Sequence, residues 1–231
     1  MTSVHRSKCT TNMKLIIAGS TGFLATELIR QALVHPGVTS VIALGRREAS
    51  SYAKTLRIIP TTSNWKWQKP MLVSVSWEEV CKISRDYAVI AIETISQLRR
   101  DKPNSKFRFV YVSGHTATRD PSKKPLILPD YSVMRGEAET LILKRAQESN
   151  GSIEACIAKP GLIDDPKDPR FWTRAAKNFG RMLFGIPKVE VREIAATLID
   201  QVVNGIEKDT LENKDLVRIG TKVLAAQTSS P

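Results

Sequence analysis

Cysteine is scarce in this chain: Cys9, Cys81 and Cys156 stand far apart, and no Cys-x-x-Cys pair occurs. That spacing excludes a disulfide framework or a zinc ribbon and suits reduced thiols in a cytoplasmic compartment. Histidine is as sparse, at His5, His35 and His115, so no metal site is expected. No stretch approaches the roughly 18 apolar residues that a membrane-crossing helix needs. The first twelve residues are polar and basic and lack the apolar core of a secretory signal. They are expected to form a disordered tail, with a short transit-type segment as the alternative.

Acidic residues are also in deficit. Against 35 Lys and Arg there are 23 Asp and Glu, which leaves a net charge of +12. Such a balance favours anionic partners such as nucleotide phosphates, nucleic acid or an anionic membrane surface. The basic residues are spread along the chain without an Arg-rich arm or an aromatic–basic RNA-binding signature. A basic enzyme acting on a small molecule is therefore expected ahead of a specific nucleic-acid binder.

What the chain does have is a strong organising stretch near its start. Leu15 to Ala18 form an unbroken apolar run, as expected of a strand buried on both faces. Gly19, Gly22 and Ala25 then punctuate a turn, and from Phe23 the apolar residues recur at helical spacing through Leu24, Leu28, Ile29, Ala32 and Leu33. The spacing predicts a helix over 23–34, ended by His35-Pro36-Gly37, and a second strand over 41–44. The unit has the length of a βαβ crossover. In it Gly19 permits the tight turn, Gly22 lets backbone N–H groups approach a pyrophosphate, and Ala25 keeps helix and strand close. The phosphate would sit at the helix N-terminus, held by Gly19, Ser20, Thr21, Gly22, Phe23 and Leu24. A purely structural strand–helix turn is the alternative, but the flanking strands supply the context that makes the glycine pattern specific.

Beyond the second strand stand Arg46 and Arg47, with no acidic residue at the strand end. Arginine here accommodates the 2′-phosphate of NADP, whereas an acidic residue would select NAD. NADP is expected over NAD, the alternative being a solvated arginine pair. Between 48 and 76 a short helix (49–56), a third strand (57–60) and a fourth (71–75) are predicted. No room remains between those strands for a full helical crossover. Trp65 and Trp67 are expected to cover a sheet face.

From Trp77 the pattern is helical again, with Val80, Ile83, Tyr87, Ile90, Ala91 and Thr94 recurring at three and four. Strands follow at 107–112 and 153–158, separated by a helix from an Asp130 N-cap to about Gln147, with Gly151 as its stop. A basic amphipathic helix is predicted within 169–186, either covering a substrate cleft or lying on an anionic membrane; the cleft is preferred. A last helix (191–206) and a strand (216–219) complete the domain.

Ser113 ends one predicted strand, while Tyr131 and Arg135 share a face of the next helix. At the carboxyl ends of parallel strands such residues meet a ligand crevice. A tyrosine there acts as general acid or base when a cation lowers its pKa, and a serine hydroxyl can hold a carbonyl oxygen. A packing tyrosine beside a surface arginine is the plainer alternative.

The Gly-Ser-Thr-Gly-Phe-Leu-Ala turn, Tyr111-Val-Ser-Gly114, Tyr131-Ser-Val-Met-Arg135-Gly-Glu-Ala-Glu and Lys159-Pro-Gly together resemble the short-chain dehydrogenase/reductase superfamily. The closer likeness is to its atypical NmrA-like and Tat-interacting-protein-like branch, over nearly all of residues 13 to 220. The resemblance implies that the glycine turn holds the pyrophosphate and that Ser113 and Tyr131 assist carbonyl reduction. It also implies that Pro160 and Gly161 line the nicotinamide pocket. Two departures stand out: the family's Tyr-x-x-x-Lys ends here in Arg135, and the segment before Trp77 is short for the family. Lysine at that position holds the nicotinamide ribose and lowers the tyrosine pKa; arginine keeps the charge in a different, planar geometry.

The fold expected is α/β, a Rossmann-like, doubly wound and mostly parallel sheet in a single domain over 13–224, with a shortened β3–β4 region and tails at 1–12 and 225–231. The expected function is NADP(H)-dependent hydride transfer to or from a small carbonyl or alcohol, with Ser113, Tyr131 and Arg135 as the catalytic set. A non-catalytic NADP-binding regulator with a protein partner is the alternative, and a membrane-bound module is disfavoured. A homodimer is compatible with either reading.

Overall fold

The computed structural model describes residues 13–20, 22–45, 57–60 (backbone), 76–98, 106–165 and 185–228. The predictions for Thr21, Arg46, Arg47, the 49–56 helix, Trp65, Trp67, the 71–75 strand and nearly all of the 169–186 helix lie outside them. The chain forms two compact units, Met1–Trp67 and Gln68–Pro231.

In the first unit, β1 (Met13–Ala18), α1 (Phe23–Val34), β2 (Val38–Gly45) and β3 (Arg57–Pro60) follow the predicted order. The three strands pair in parallel in the order β1-β2-β3, with Ile17 opposite Ala43 and Ala43 opposite Ile58. Parallel pairing forces α1 to cross back over the sheet, and its buried residues Ala25, Ile29 and Ala32 match the predicted face. The expectation that β1 is buried on both faces is corrected. Ile17 is buried, but Ile16, which points to the opposite face, is 47% exposed. Successive side chains on a strand alternate sides, and among the described residues of this unit a helix, α1, covers one side only.

The second unit begins with α2 (Trp77–Cys81), capped by Ser76, whose hydroxyl accepts the Glu79 N–H at 3.2 Å. A π-helical turn, Lys82–Asp86, joins it to α3 (Tyr87–Gln97). The wider turn shifts the phase of the helix. Ile92, Ala88 and Ile95 face the core, whereas Ile83, Tyr87 and Ile90 from the predicted stripe are exposed. Next come β4 (Phe107–Val112), α4 (Pro129–Glu148), β5 (Ile153–Lys159), β6 (Leu162–Asp164) and β7 (Lys188–Glu190). The unit ends with α5 (Val191–Asn204), β8 (Thr210–Glu212) and α6 (Asn213–Thr228). Strands β4, β5 and β8 form a parallel sheet in that order, and β6 pairs in parallel with β7.

The core of this unit joins Ile92 of α3, Ala138 and Ile142 of α4 and Ile153, Ala155 and Ile157 of β5. Alternating Ile and Ala let the helices approach the sheet closely. Two further expectations are corrected. Asp130 is not the cap of α4; Leu128 holds that position in a left-handed conformation with φ 50° and no side-chain cap. The strand expected at 216–219 is part of α6, because Leu216, Ile219 and Gly220 turn to one buried side at helical spacing. Gly220 is required there: a Cβ would lie 2.3 Å from the Glu193 carbonyl oxygen of α5. The third strand of that sheet is β8, a three-residue segment around the fully buried Leu211. α6 also continues to Thr228, into the stretch expected as tail.

Candidate functional site

The glycine turn of the first unit is built as a cradle. Gly19 sits at φ +77°, a left-handed conformation that a side chain disfavours. Its N–H, and that of Ser20, both donate to the Leu44 carbonyl at the end of β2, at 2.9 and 3.2 Å. The Gly22 N–H turns back to the Gly19 carbonyl at 2.9 Å, and a Cβ on Gly22 would meet that oxygen at 3.2 Å. Gly22 caps α1 without a side-chain hydrogen bond, and the first turn of the helix carries no acidic residue. The leading N–H groups of Phe23, Leu24 and Ala25 therefore lack intrahelical acceptors, as at any helix start. Ser20 is 3% exposed, and its hydroxyl has no partner among the described residues. A buried hydroxyl without a partner is costly unless a ligand supplies one. Open amides, a positive helix end and an orphaned hydroxyl together fit a pyrophosphate.

The second unit brings the other predicted residues to one end of its sheet. Ser113 follows directly on β4, and its N–H donates to the Ala158 carbonyl of β5 at 2.8 Å. Its hydroxyl, buried, donates to Oε1 of Glu139 at 2.6 Å. Glu139 is fully buried, and its other oxygen meets Nε of Arg119 at 2.9 Å and Nζ of Lys159 at 3.5 Å. Lys159 also donates to the Ala117 carbonyl at 2.7 Å. A buried carboxylate is tolerated only when paired in this way.

Arg135 stands one helical turn beyond Tyr131 on α4. Its guanidinium donates to the Val112 carbonyl at 2.5 Å and to the Ser84 carbonyl at 3.3 Å. It lies 4.8 Å from the Tyr111 ring centre and 6.0 Å from that of Tyr131. Arg135 thus clamps the end of β4 to α4 while its charge faces both aromatic rings. Tyr131, half-buried, stands in the first turn of α4. Tyr111 donates to the Ser84 carbonyl at 2.5 Å, and burial above all pushes its phenol up to about 12, against the pull of Arg135. That makes Tyr111 a structural hydroxyl.

The loop after β4 is pressed onto α4 at Gly136, where a Cβ would lie 1.7 Å from the Thr118 carbonyl oxygen. Thr118 N–H donates to the Ser132 carbonyl at 3.1 Å, and the His115 N–H to the Pro160 carbonyl at 2.8 Å. Gly161 is held by Asn213, whose Oδ1 accepts its N–H at 2.8 Å, and a Cβ on it would strike the Pro187 carbonyl at 2.0 Å. Close packing against the 187–190 segment is what demands glycine there. Ser113, Tyr131, Arg135, Pro160 and Gly161 therefore belong to one end of this unit. Glu139, Arg119 and Lys159 were not singled out as site residues from the sequence. The available signal was helical spacing, since Glu139 follows Arg135 by four residues and Tyr131 by eight. Among the described residues no helix is long and apolar enough to cross a membrane, and no cluster of His, Cys, Asp and Glu could hold a metal ion.

No family model matches the chain, and no curated protein matches it in sequence. Solved structures do match it in fold. Vestitone reductase from alfalfa is 17% identical, with a TM-score of 0.58 over 86% of this chain and 76% of that one. Gre2 from Candida albicans, in complex with NADPH, is 15% identical, with a TM-score of 0.57 over 87% and 77%. WbmF from Bordetella bronchiseptica, in complex with NAD+, is 15% identical, with a TM-score of 0.55 over 96% and 80%. The likeness establishes an α/β architecture of the Rossmann type, as the parallel pairing and the strand–glycine turn–helix unit require.

Proposed function

We propose that the protein binds NADP(H) at the Gly19–Leu24 turn and acts as an oxidoreductase on a small carbonyl or alcohol. The observation that carries this reading is the buried hydroxyl of Ser20, without a partner among the described residues, at the start of α1, which has no side-chain cap. The solved structures of the same fold that contain NADPH or NAD+ support it as analogues. A nicotinamide nucleotide, when bound, gives or takes the hydride. NADP is preferred to NAD on the sequence alone, from Arg46 and Arg47 after β2.

In this reading Tyr131 gives its phenolic proton to the substrate oxygen in reduction and takes it back in oxidation. Arg135 faces the tyrosine ring, its guanidinium carbon 6.0 Å from the ring centre. Ser113 has a defined polarity. Glu139, as a carboxylate, only accepts, so the Ser113 proton points to it and the serine offers lone pairs. An alcohol O–H finds an acceptor there, whereas a carbonyl oxygen is served only after the serine proton turns away. Pro160 and Gly161 are assigned to the nicotinamide side of the pocket.

One observation favours the alternative, an NADP-binding regulator without turnover. The guanidinium of Arg135 is committed to two backbone carbonyls and the Ser113 proton to Glu139. The two readings separate in one assay. NADPH oxidation followed over a carbonyl panel should lose at least about 100-fold in kcat on Tyr131→Phe, the scale of general acid catalysis. Turnover that survives the change refutes Tyr131, and cofactor binding without turnover supports the regulator.

A further inference from the structure

Glu139 is fully buried, and its two carboxylate oxygens face different partners. Oε1 accepts the Ser113 hydroxyl at 2.6 Å. Oε2 accepts from Nε of Arg119 at 2.9 Å and lies 3.5 Å from the Lys159 ammonium. Both cations are fixed by second contacts. Arg119 also donates to the Thr210 hydroxyl at 2.9 Å, and Lys159 to the Ala117 carbonyl at 2.7 Å. Guanidinium and ammonium groups only donate, so the Glu139 side chain must turn an acceptor towards them. Its other oxygen is left for Ser113.

We propose that Glu139 is a positioning residue: acting through Ser113, it makes the site select an alcohol hydroxyl over a carbonyl oxygen before any hydride moves. Naming the ligand in this way rests on the proposed reaction at Tyr131. A serine hydroxyl has one proton and two lone pairs. With the proton drawn to Oε1 of Glu139, Ser113 offers lone pairs, and an alcohol O–H meets them as a donor. A carbonyl oxygen brings only lone pairs of its own. To be held by Ser113 it must break the 2.6 Å bond and leave a buried carboxylate oxygen without its donor. Tyr131 can donate to either oxygen, so it does not discriminate between them. The same geometry fixes how the preference can be inverted. In Glu139→Gln the amide oxygen must take the Oε2 place, because Arg119 and Lys159 require an acceptor. The amide nitrogen then faces Ser113 and donates to its oxygen, which frees the serine proton for a carbonyl.

The test measures the affinities of matched secondary alcohols and ketones, cyclohexanol with cyclohexanone first, by ligand-observed NMR on the full chain. Each is measured alone and with tetrahydro-NADP, a reduced analogue of NADPH that has no hydride to give. The parent should bind the alcohol about tenfold more tightly than the ketone, the scale of one hydrogen bond left unmade at a buried acceptor. Glu139→Gln should reverse the order, and Ser113→Ala should make the two affinities equal. A loss of stability lowers both affinities together, so their ratio separates positioning from a structural role. Equal affinities in the parent, an order unchanged by Glu139→Gln, or a preference that survives Ser113→Ala overturns the assignment. So does the absence of saturable binding by any pair. If Glu139→Gln does not fold, Ser113→Ala decides, because only a serine whose proton is held elsewhere prefers a donor. Turnover sensitive to Tyr131→Phe with equal affinities leaves the reaction standing and this role of Glu139 refuted. A preference reversed by Glu139→Gln without hydride transfer supports the role and counts against the reaction.

Discussion

The hydroxyl of Ser113, at the end of β4, donates to Glu139 of α4 across 2.6 Å, and both side chains are buried. Glu139 gathers Ser113, Arg119 and Lys159, three groups from three different stretches of chain. Removing it leaves Lys159, nearly buried, facing the Ala117 carbonyl alone. Glu139→Ala should cost about 3–5 kcal/mol, the range for breaking a buried pair. Glu139→Gln, which keeps the shape, should cost less. Urea unfolding of both variants checks the order, and equal losses would mean that packing and not charge sets the value.

The guanidinium of Arg135 invites exchange for the simpler cation of lysine. The geometry predicts that Arg135→Lys does not help. An ammonium cannot span the Val112 and Ser84 carbonyls while stacking on Tyr111, so the clamp between β4 and α4 is lost. A fall in stability of about 1–2 kcal/mol is expected, from the charged hydrogen bond given up. Thermal unfolding measures it, and a variant as stable as the parent would show that the clamp is dispensable.

Alkaline pH should destabilise the protein through two buried groups. Burial, with Asp209 adding to it, pushes the Cys156 thiol up from 9.0 to about 12, and burial pushes the Tyr111 phenol up from 10.0 to about 12. Both stay neutral when folded and ionise earlier when unfolded, so the unfolded state binds fewer protons above pH 9 and stability falls from there towards pH 12. Cys156→Ala should lose stability at pH 7 from the cavity yet show a shallower decline between pH 9 and 12. An unchanged slope would exclude the thiol. Thiol reagents at pH 8 should leave Cys156 unmodified until the chain unfolds.

Acid acts through the opposite sign. The carboxyl of Glu154 is held below its ordinary value of 4.5 by Lys106, in an ion pair of 2.7 Å, and by Arg108, at 3.1 Å. Its contribution is complete above pH 4.5 and is lost as pH falls through the lowered value. Glu154→Gln should therefore remove part of the acid limb of stability and leave the neutral plateau lower by under about 1 kcal/mol, as for a partly exposed pair. An unaltered acid limb would contradict this.

The sequence was most legible where the determining interactions are local. Leu15 to Leu44 alternate strand, turn and helix within one crossover, and α1 begins and ends where Phe23 and His35 indicate. The face of α3 was misjudged because a π-helical turn at 82–86 rotates everything after it, and no apolar spacing announces such a turn. Leu216 to Ile219 read as a strand because four residues carry too little period to distinguish the two forms. The partners of Ser113 were hidden for a different reason. Arg119 and Lys159 reach Glu139 only after β4, α4 and β5 have packed, and the sequence does not display that proximity.

The most direct measurement is a fluorescence titration of the protein with NADPH and NADH, repeated on Gly22→Val and Ser20→Ala. A saturable NADPH signal is expected, abolished by Gly22→Val, whose side chain closes on the Gly19 carbonyl that a Cβ already meets at 3.2 Å. Ser20→Ala should weaken binding by roughly tenfold, the loss of one hydrogen bond to a charged group. If neither nucleotide binds, or if Gly22→Val binds NADPH as well as the parent does, the glycine turn is a structural feature and not a cofactor site.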